Sequence, residues 1–236
     1  MLRRQIPNLI TLGNLLCGVE SIYASLATGD VVAAALWICG GIVLDFFDGL
    51  AARLLKVPSE LGKQLDSLAD VVTSGVAPAF LMAKLIEEPL RNLLPAWAVA
   101  LAMLPFVLMP AFAAYRLAKF NLDTRQGHSF LGLPVPANAL AWVGLALAGC
   151  SVGHAAEAIG LGALALAFDL LMVSEVPMFS LKFNFKDMGW KANSIQYLFL
   201  IGCAAAIALL RDGYALSLII LWYIVLSLIT RRRHAE

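Results

Sequence analysis

Residues 45–70 read DFFDGLAARLLKVPSELGKQLDSLAD and lie between two long apolar stretches. Asp45 and Asp48 are three residues apart, and Asp66 and Asp70 are four apart. On a helix, such spacings place the two side chains of each pair on one face. The proline and the serine between the pairs suit a tight turn. We therefore predict two antiparallel helices whose acidic faces meet near one boundary of a membrane.

The composition around this stretch is that of a membrane protein. Of the 236 residues, 61% are hydrophobic and only 14% are charged, and the mean hydropathy is +0.84. A soluble domain carries about 25% charged residues. Apolar stretches of roughly 18 or more residues recur along the chain, which is the length that a helix needs to cross a bilayer. We predict an all-α membrane protein, a single domain over residues 1–236, with membrane lipids around it and no nucleic-acid partner.

Turn residues divide the chain into about eight predicted transmembrane helices, with six or seven as alternatives. A short amphipathic helix over residues 2–10 is predicted to lie along the membrane interface before the first of them. The helix pair that carries the aspartates covers about 31–83. The eight predicted spans are 10–28, 31–55, 62–83, 94–118, 134–150, 157–174, 194–210 and 213–230.

The basic residues predict the orientation of these helices. With the N-terminus in the cytoplasm, fourteen Lys and Arg residues fall on the inner side and three, Lys84, Arg91 and Arg211, fall on the outer side. Cytoplasmic loops of membrane proteins carry such an excess of positive charge. We therefore predict that both termini and the acidic site lie on the cytoplasmic side of the cell membrane.

The four carboxylates need neutralising partners. They are costly in apolar helices, because the membrane solvates charge poorly and like charges repel. Arg53 is the one cation in the immediate neighbourhood of the acids, so ion pairing alone leaves an excess of negative charge. Divalent cations would remove it, and ligands that are all oxygen favour Mg²⁺, Mn²⁺ or Ca²⁺ over zinc. Such ions also suit a substrate that carries a pyrophosphate group.

The pattern D-x-x-D-G-x-x-A-R-x8-G-x3-D-x3-D, which starts at Asp45, resembles that of the CDP-alcohol phosphotransferase family at all eight fixed positions. The resemblance implies that Asp45, Asp48 and Asp66 hold metal. It implies that Asp70 takes part in the metal site and is the catalytic base. Small residues beside the acids allow ligand and backbone to approach closely. For nucleotide and phosphate binding we expect a further set of residues: Asn14, Gly49, Ala52, Arg53, Gly62 and Thr73.

Flanking segments narrow the resemblance. Residues 6–14 (IPNLITLGN), 66–78 and 132–137 are similar to segments of the bacterial and archaeal integral-membrane phosphatidylserine synthases. That resemblance implies transfer of the phosphatidyl group from CDP-diacylglycerol to L-serine, with release of CMP. It also implies a homodimer.

The carboxylate of serine requires a cation in the acceptor site. Arg116, at the cytoplasmic end of the fourth span, is the first candidate, followed by Arg125 and Lys119. For the last two, binding of lipid headgroups is the alternative.

Two alternative functions remain at the level of sequence. Within the same family the acceptor could be glycerol 3-phosphate or an inositol phosphate, although a phosphate-bearing acceptor should require a larger basic cluster. A divalent-cation transporter also carries carboxylates within the membrane. Transporters place such groups near the bilayer midplane and often have inverted repeats, whereas these acids lie near one boundary and no second acidic pair follows them.

Overall fold

Nine α-helices account for most of the described chain. The structure is a computed structural model, which describes residues 2–123, 130–179 and 189–230. Two π-helical segments, Ala24–Thr28 and Val71–Val76, continue the first and third helices. The α-helices are α1 Leu2–Tyr23, α2 Val31–Leu54, α3 Glu60–Asp70, α4 Ala77–Leu93, α5 Ala96–Leu122, α6 Val135–Leu147, α7 Ala155–Val173, α8 Trp190–Leu210 and α9 Tyr214–Thr230.

These helices confirm the predicted all-α membrane fold. Because α3, the segment Val71–Val76 and α4 form one continuous run, the described residues contain eight helical runs, the number predicted from the sequence. The runs α6 and α9 are apolar but shorter than the others. The remaining six are long and apolar enough to cross a membrane: Gln5–Thr28, Val31–Leu54, Glu60–Leu93, Ala96–Leu122, Ala155–Val173 and Asn193–Leu210.

The interfacial helix predicted over residues 2–10 is not a separate element. Helix α1 begins at Leu2 and continues through this segment into the first apolar run. Pro7 lies inside the helix, but only in its second turn. A proline removes the backbone hydrogen bond to the residue four positions earlier, here Arg3 in the first turn, and the helix continues past it without the break expected near residue 10.

The turns before the two acidic helices have the predicted chemistry. Gly29 takes a left-handed φ of 67°, and Asp30 then caps α2 by accepting a hydrogen bond from the Ala33 backbone N at 2.9 Å. Ser59 caps α3 by accepting one from the Gly62 backbone N at 3.0 Å. Such caps satisfy N–H groups that have no partner within the helix. Both helices therefore begin where the turn residues indicate.

Helix α1 joins the two acidic helices. It packs along α2 and also against α3 and the π-helical segment Val71–Val76, whereas α2 and α3 touch each other only briefly. The predicted antiparallel pair is therefore held together by a third helix. On its other side the π-helical segment meets α5, where a Cβ added to Gly75 would lie 3.0 Å from the Ala113 Cβ. Gly75 thus permits close helix packing, as small residues do in membrane proteins.

The second half of the chain packs around α6. Helix α6 packs on α9, and α7 runs along α5. The Trp142 indole is buried between the rings of Phe106 and Phe168, at centroid distances of 5.3 and 5.8 Å. An antiparallel pair of short strands, β1 Phe130–Leu131 and β2 Pro177–Met178, joins the segments that precede α6 and follow α7.

The α6–α9 contact depends on a glycine. A Cβ added to Gly144 would lie 2.7 Å from the Ser217 backbone N and 2.8 Å from the Gly213 carbonyl oxygen. Gly144→Ala should therefore lower the free energy of unfolding by about 1–3 kcal/mol, the usual cost of overpacking. Denaturant titration of the purified protein in detergent measures this change. Gly160→Ala is the matched control, because nothing lies within 4 Å of its added Cβ; equal midpoints for the two variants would contradict the prediction.

Candidate active site

Three of the four predicted aspartates form a compact group. Asp45 and Asp48 come from α2 and Asp66 from α3, and each offers a carboxylate oxygen within 4.8 Å of the others. Asp48 is buried, while Asp45 and Asp66 are partly buried. The spacing of three residues in α2 puts its two acids on one face, and the turn to α3 brings Asp66 to the same place. The structure thus assembles a carboxylate group from residues that the sequence pattern singled out.

Asp70 lies one helical turn beyond Asp66 and has its own partner. It is buried, and its Oδ1 accepts a hydrogen bond from Asn14 Nδ2 at 3.1 Å. It lines the same cavity as Asp45 and Asp66 but does not belong to the group of three carboxylates. Asp70 is therefore beside the carboxylate group and oriented by α1.

Thr11 is a site residue that the sequence reasoning missed. Its hydroxyl is within hydrogen-bond distance of both Asp48 Oδ2 and the Pro7 carbonyl oxygen. A hydroxyl has one proton to donate, and a bond to an ionised carboxylate is the stronger of the two. Thr11 therefore holds Asp48 in place from α1. The available signal was the helical spacing of Thr11 and Asn14, which puts both polar side chains on one face of α1.

The carboxylate group has the chemistry of a divalent-metal site. Among the described residues, no ion pair includes any of the four aspartates, and Asp66 Oδ1 is buried without a hydrogen-bond partner. Unpaired carboxylates at this density repel one another strongly in a membrane. A hard cation with oxygen ligands would remove this repulsion and use the orphaned oxygen. The residues therefore fit the metal that the sequence implies.

A cavity of about 670 Å³ adjoins the aspartates. Its polar end is lined by Asp45, Asp66, Asp70, Lys63 and Arg116. Its apolar lining comes from both halves of the chain and includes Phe46, Leu117, Phe179, Phe199, Ile220 and Tyr223. One cavity therefore offers acidic, basic and apolar surfaces side by side, which suits a substrate with a charged head and a lipid tail.

Arg116 is the one acceptor candidate that the structure describes in this cavity. Its side chain is only 7% exposed, and its Nε has no hydrogen-bond partner. Lys119 instead lies 3.4 Å from Glu175 in a partly exposed ion pair. Arg125 lies outside the described residues. A buried guanidinium with an unpaired donor can bind a carboxylate or phosphate group.

The residues expected to contact the nucleotide occupy two environments. Gly49, Ala52 and Arg53 lie on the last turns of α2, where the exposed Arg53 donates from Nε to the Gly49 carbonyl oxygen at 2.9 Å. Gly62, at the start of α3, would bring an added Cβ within 3.2 Å of Asn8 Oδ1.

Asn14 and Thr73 are fully buried where α1 meets the π-helical segment. There, Thr73 Oγ1 donates to the Asn14 carbonyl oxygen at 2.9 Å. These two residues therefore contact each other, at a distance from the exposed end of α2.

A second unforeseen contact ties α5 to α3 beside the cavity. Lys63 Nζ donates to the Asn121 carbonyl oxygen at 2.9 Å, and Asn121 Nδ2 donates to Ser67 Oγ at 2.8 Å. All three residues line the cavity. Because the partners are more than fifty positions apart in the chain, no local pattern indicates this contact.

The fold and the site define a multi-pass membrane protein with an oxygen-only carboxylate site beside an amphipathic cavity. Comparison with known proteins gives the family. The sequence model of the CDP-alcohol phosphatidyltransferase family matches residues 4–168. The chain belongs to this family and is a CDP-alcohol phosphatidyltransferase, as the resemblance predicted. A divalent-cation transporter, the alternative from another class, is therefore not supported.

Several curated relatives share one name, CDP-diacylglycerol–serine O-phosphatidyltransferase. The protein of Bacillus subtilis is 37% identical over 177 residues, which cover 72% of this chain and 88% of the relative. That of Helicobacter pylori strain J99 is 30% identical over 228 residues, covering 94% of this chain and 89% of the relative. That of Methanocaldococcus jannaschii is 34% identical over 135 residues, covering 57% of this chain and 58% of the relative.

The carboxylate group predicts metal affinity that can be measured without substrate. Asp48→Asn and Asp66→Asn should each weaken Mn²⁺ binding by at least about tenfold, since loss of an outer partner of a metal ligand alone costs that much. Electron paramagnetic resonance titration of the purified protein with Mn²⁺ measures the affinity. Glu88→Gln, an exposed acid on α4, is the control and should bind like the unaltered protein. Unchanged affinity in both aspartate variants would rule out this metal site.

Proposed function

We propose that this enzyme transfers the phosphatidyl group of CDP-diacylglycerol to the hydroxyl of L-serine, giving phosphatidylserine and CMP. Two relatives that cover most of the chain carry the name of that reaction. The observation that carries the proposal is a single buried cation beside the aspartates. Arg116 lines the cavity that Asp70 also lines, and its Nε is unpaired. A guanidinium binds a carboxylate such as that of serine through two parallel hydrogen bonds.

Asp70 is the proposed general base. The serine hydroxyl oxygen attacks the phosphorus that carries the diacylglycerol, and its proton passes to Asp70. A new P–O bond forms while the bond from this phosphorus to the bridging oxygen breaks, so CMP leaves with that oxygen. A base must lie within hydrogen-bond reach of the proton that it removes. The shared cavity of Asp70 and Arg116 supports this arrangement.

Asp45, Asp48 and Asp66 are the proposed metal ligands, with Asp70 at the edge of the site. Mg²⁺, Mn²⁺ or Ca²⁺ bound there would neutralise the diphosphate and the charge that develops on the leaving phosphate. Thr11 keeps Asp48 directed towards the group. The geometry of the three carboxylates supports the proposal.

The cytidine diphosphate is proposed to bind at the end of α2. Gly49 and Ala52 place no bulky side chain on this helix face, so that phosphate oxygens can approach the backbone. Arg53 is exposed and its guanidinium keeps further donors beyond the bond to Gly49. Gly62 is proposed to take part at the start of α3, where the absence of a side chain lets Asn8 of α1 lie close to the helix.

The acceptor is proposed to be serine because the site offers little positive charge. Glycerol 3-phosphate and inositol phosphate carry a phosphate group, whose charge calls for several cations. Lys119 is paired with Glu175, and Lys63, which also lines the cavity, is exposed and donates to the Asn121 carbonyl oxygen. Arg116 is therefore the buried cation among the described residues of the cavity. One guanidinium matches one carboxylate.

Three further features complete the proposal. The excess of inner lysines and arginines supports an active site that faces the cytoplasm. The enzyme is proposed to act in the cell membrane as one domain over residues 1–236, with the catalytic helix pair at about 31–83. A homodimer is proposed from the family resemblance.

The acceptor is testable directly. The purified protein, given labelled CDP-diacylglycerol and Mn²⁺ or Mg²⁺, should form labelled phosphatidylserine and CMP with L-serine. Glycerol 3-phosphate and inositol phosphate, offered separately, should give no labelled lipid product. Thin-layer chromatography separates the products. Product from one of those acceptors but none from serine would refute the serine assignment while leaving the family chemistry intact.

Arg116 should act on the acceptor alone. Arg116→Gln should raise the KM for serine by about 10- to 100-fold, the range expected when a hydrogen-bonded charge loses its partner. The KM for CDP-diacylglycerol should stay within about twofold, because its cytidine diphosphate is proposed to bind at the metal ligands and the end of α2 and not at Arg116. Arg91→Gln, at an exposed arginine paired with Glu87, is the matched control. An equal rise in both KM values would contradict a role for Arg116 in acceptor binding.

A further inference from the structure

We propose that Asn14 is a positioning residue for the reaction, because it fixes the orientation of the Asp70 carboxylate. The inference rests on the proposed function, in which Asp70 is the base. It assigns Asn14 a role other than direct contact with the nucleotide. Thr73, which holds the Asn14 backbone, is the second part of the same device.

The contact between Asn14 and Asp70 is buried and long-range. Asn14 is fully buried and Asp70 is 7% exposed. The amide Nδ2 donates to Asp70 Oδ1 at 3.1 Å across 56 positions of sequence. A hydrogen bond to a charged group in such a place contributes more than a solvent-exposed one. The bond therefore limits rotation of the Asp70 carboxylate and keeps its Oδ1 directed towards α1.

The direction of this hydrogen bond gives the two carboxylate oxygens of Asp70 different roles. An ionised carboxylate only accepts hydrogen bonds, so the amide nitrogen of Asn14 faces Asp70. Because Oδ1 already accepts from that donor, its basicity is lowered, and Oδ2 is the oxygen to which we assign the proton of the acceptor hydroxyl. The Asn14 side chain thereby selects which lone pairs of Asp70 are available for the reaction.

Thr73 fixes the position of Asn14 itself. Its Oγ1 donates to the Asn14 carbonyl oxygen at 2.9 Å, which ties the backbone of α1 to the helix of Asp70. Thr73 is only three residues beyond Asp70. The two hydrogen bonds therefore hold Asn14 in position, one through its side chain and the other through its backbone.

Two glycines make this approach possible. A Cβ added to Gly18 in α1 would lie 2.8 Å from Thr73 Cα, and one added to Gly41 in α2 would lie 2.8 Å from Asn14 Oδ1 and would also meet Thr73 Cγ2. Any larger residue would push the three helices apart. The close contact of α1, α2 and the π-helical segment therefore centres on Asn14 and Thr73.

The π-helical segment begins directly after Asp70. Such segments are rare, and they are found frequently at functional sites. Here the wider turn falls between the proposed base and the threonine that holds its partner. The π-helical turn and the two hydrogen bonds of Asn14 thus lie within three residues of Asp70.

A direct contact of Asn14 with the nucleotide is less compatible with this arrangement. Among the described residues that line the cavity, Asp70 is present and Asn14 is not. Its Nδ2 already donates to Asp70. Its Oδ1 has no hydrogen-bond partner among the described residues, but it is buried beside Gly41 and does not line the cavity.

The test separates positioning from binding. Asn14→Leu keeps the shape of the side chain and removes the donor, and Thr73→Val does the same for the hydroxyl. Both should lower kcat, Asn14→Leu by about 10- to 100-fold, as loss of an orienting partner does. The KM values for donor and acceptor and the directly titrated affinity for CMP with Mn²⁺ should stay within about twofold of the unaltered enzyme. Thr73→Ser retains the hydroxyl and should restore kcat, and Asn92→Leu on α4 controls for loss of an asparagine.

Each other outcome overturns the inference. A higher KM for CDP-diacylglycerol with weaker CMP binding and an unchanged kcat would make Asn14 a nucleotide contact. An unchanged kcat in Asn14→Leu, or equal kcat values for Thr73→Val and Thr73→Ser, would remove the positioning role. If Asn14→Leu does not fold, the threonine pair alone decides the question.

Failure of the proposed function gives results that differ from failure of the role assigned to Asn14. If serine gives no product, the same variants are compared with the acceptor that does release CMP. Asp70→Asn with full activity would refute Asp70 as the base, whatever the result at Asn14.

Discussion

Like charges on Asp45, Asp48 and Asp66 lie within 4.8 Å of one another in helices that are otherwise apolar. Repulsion and poor solvation both oppose this arrangement. A divalent cation held by these carboxylates would offset both costs, since its charge would neutralise them and would also suit a substrate that carries phosphate groups. Repulsion among the three carboxylates would favour the binding of such an ion, and the surrounding helices must hold the carboxylates together against that repulsion.

Helix α1 supplies that restraint. It contacts both acidic helices, which touch each other little, and it reaches each with a polar side chain. Thr11 donates to Asp48 of α2, and Asn14 donates to Asp70 of α3. Glycines at the crossing let the backbones approach, which is how membrane helices pack without a hydrophobic driving force between them. Helix α1 carries none of the four aspartates, yet it holds two of them in position.

The two halves of the chain contribute different parts of the cavity. The family match ends at residue 168 and includes the aspartates and Arg116. Phe179, Phe199 and Tyr223 lie beyond it and form one aromatic cluster, in which Phe179 and Tyr223 have ring centroids 4.9 Å apart and the Tyr223 hydroxyl donates to the Phe179 carbonyl oxygen. The metal ligands therefore come from the first half of the chain, and this aromatic part of the cavity wall comes from the second. A wall of this kind can differ between family members without disturbing the metal ligands.

The sequence by itself determined the all-α membrane fold, the eight helical runs and the chemical class of the site. Apolar length, helical spacing of acids and turn residues are local properties, and each is readable within about one helical turn or one span. Only the tertiary structure decided that α1 bridges the acidic helices, that Thr11 and Asn14 orient the carboxylates, and that α1 continues through residues 2–10. It also separated Arg116, buried in the cavity, from Lys119, paired with Glu175. The contacts of Thr11, Asn14 and Thr73 join residues 37 to 59 positions apart, and side chains so distant in the chain meet only when the helices pack.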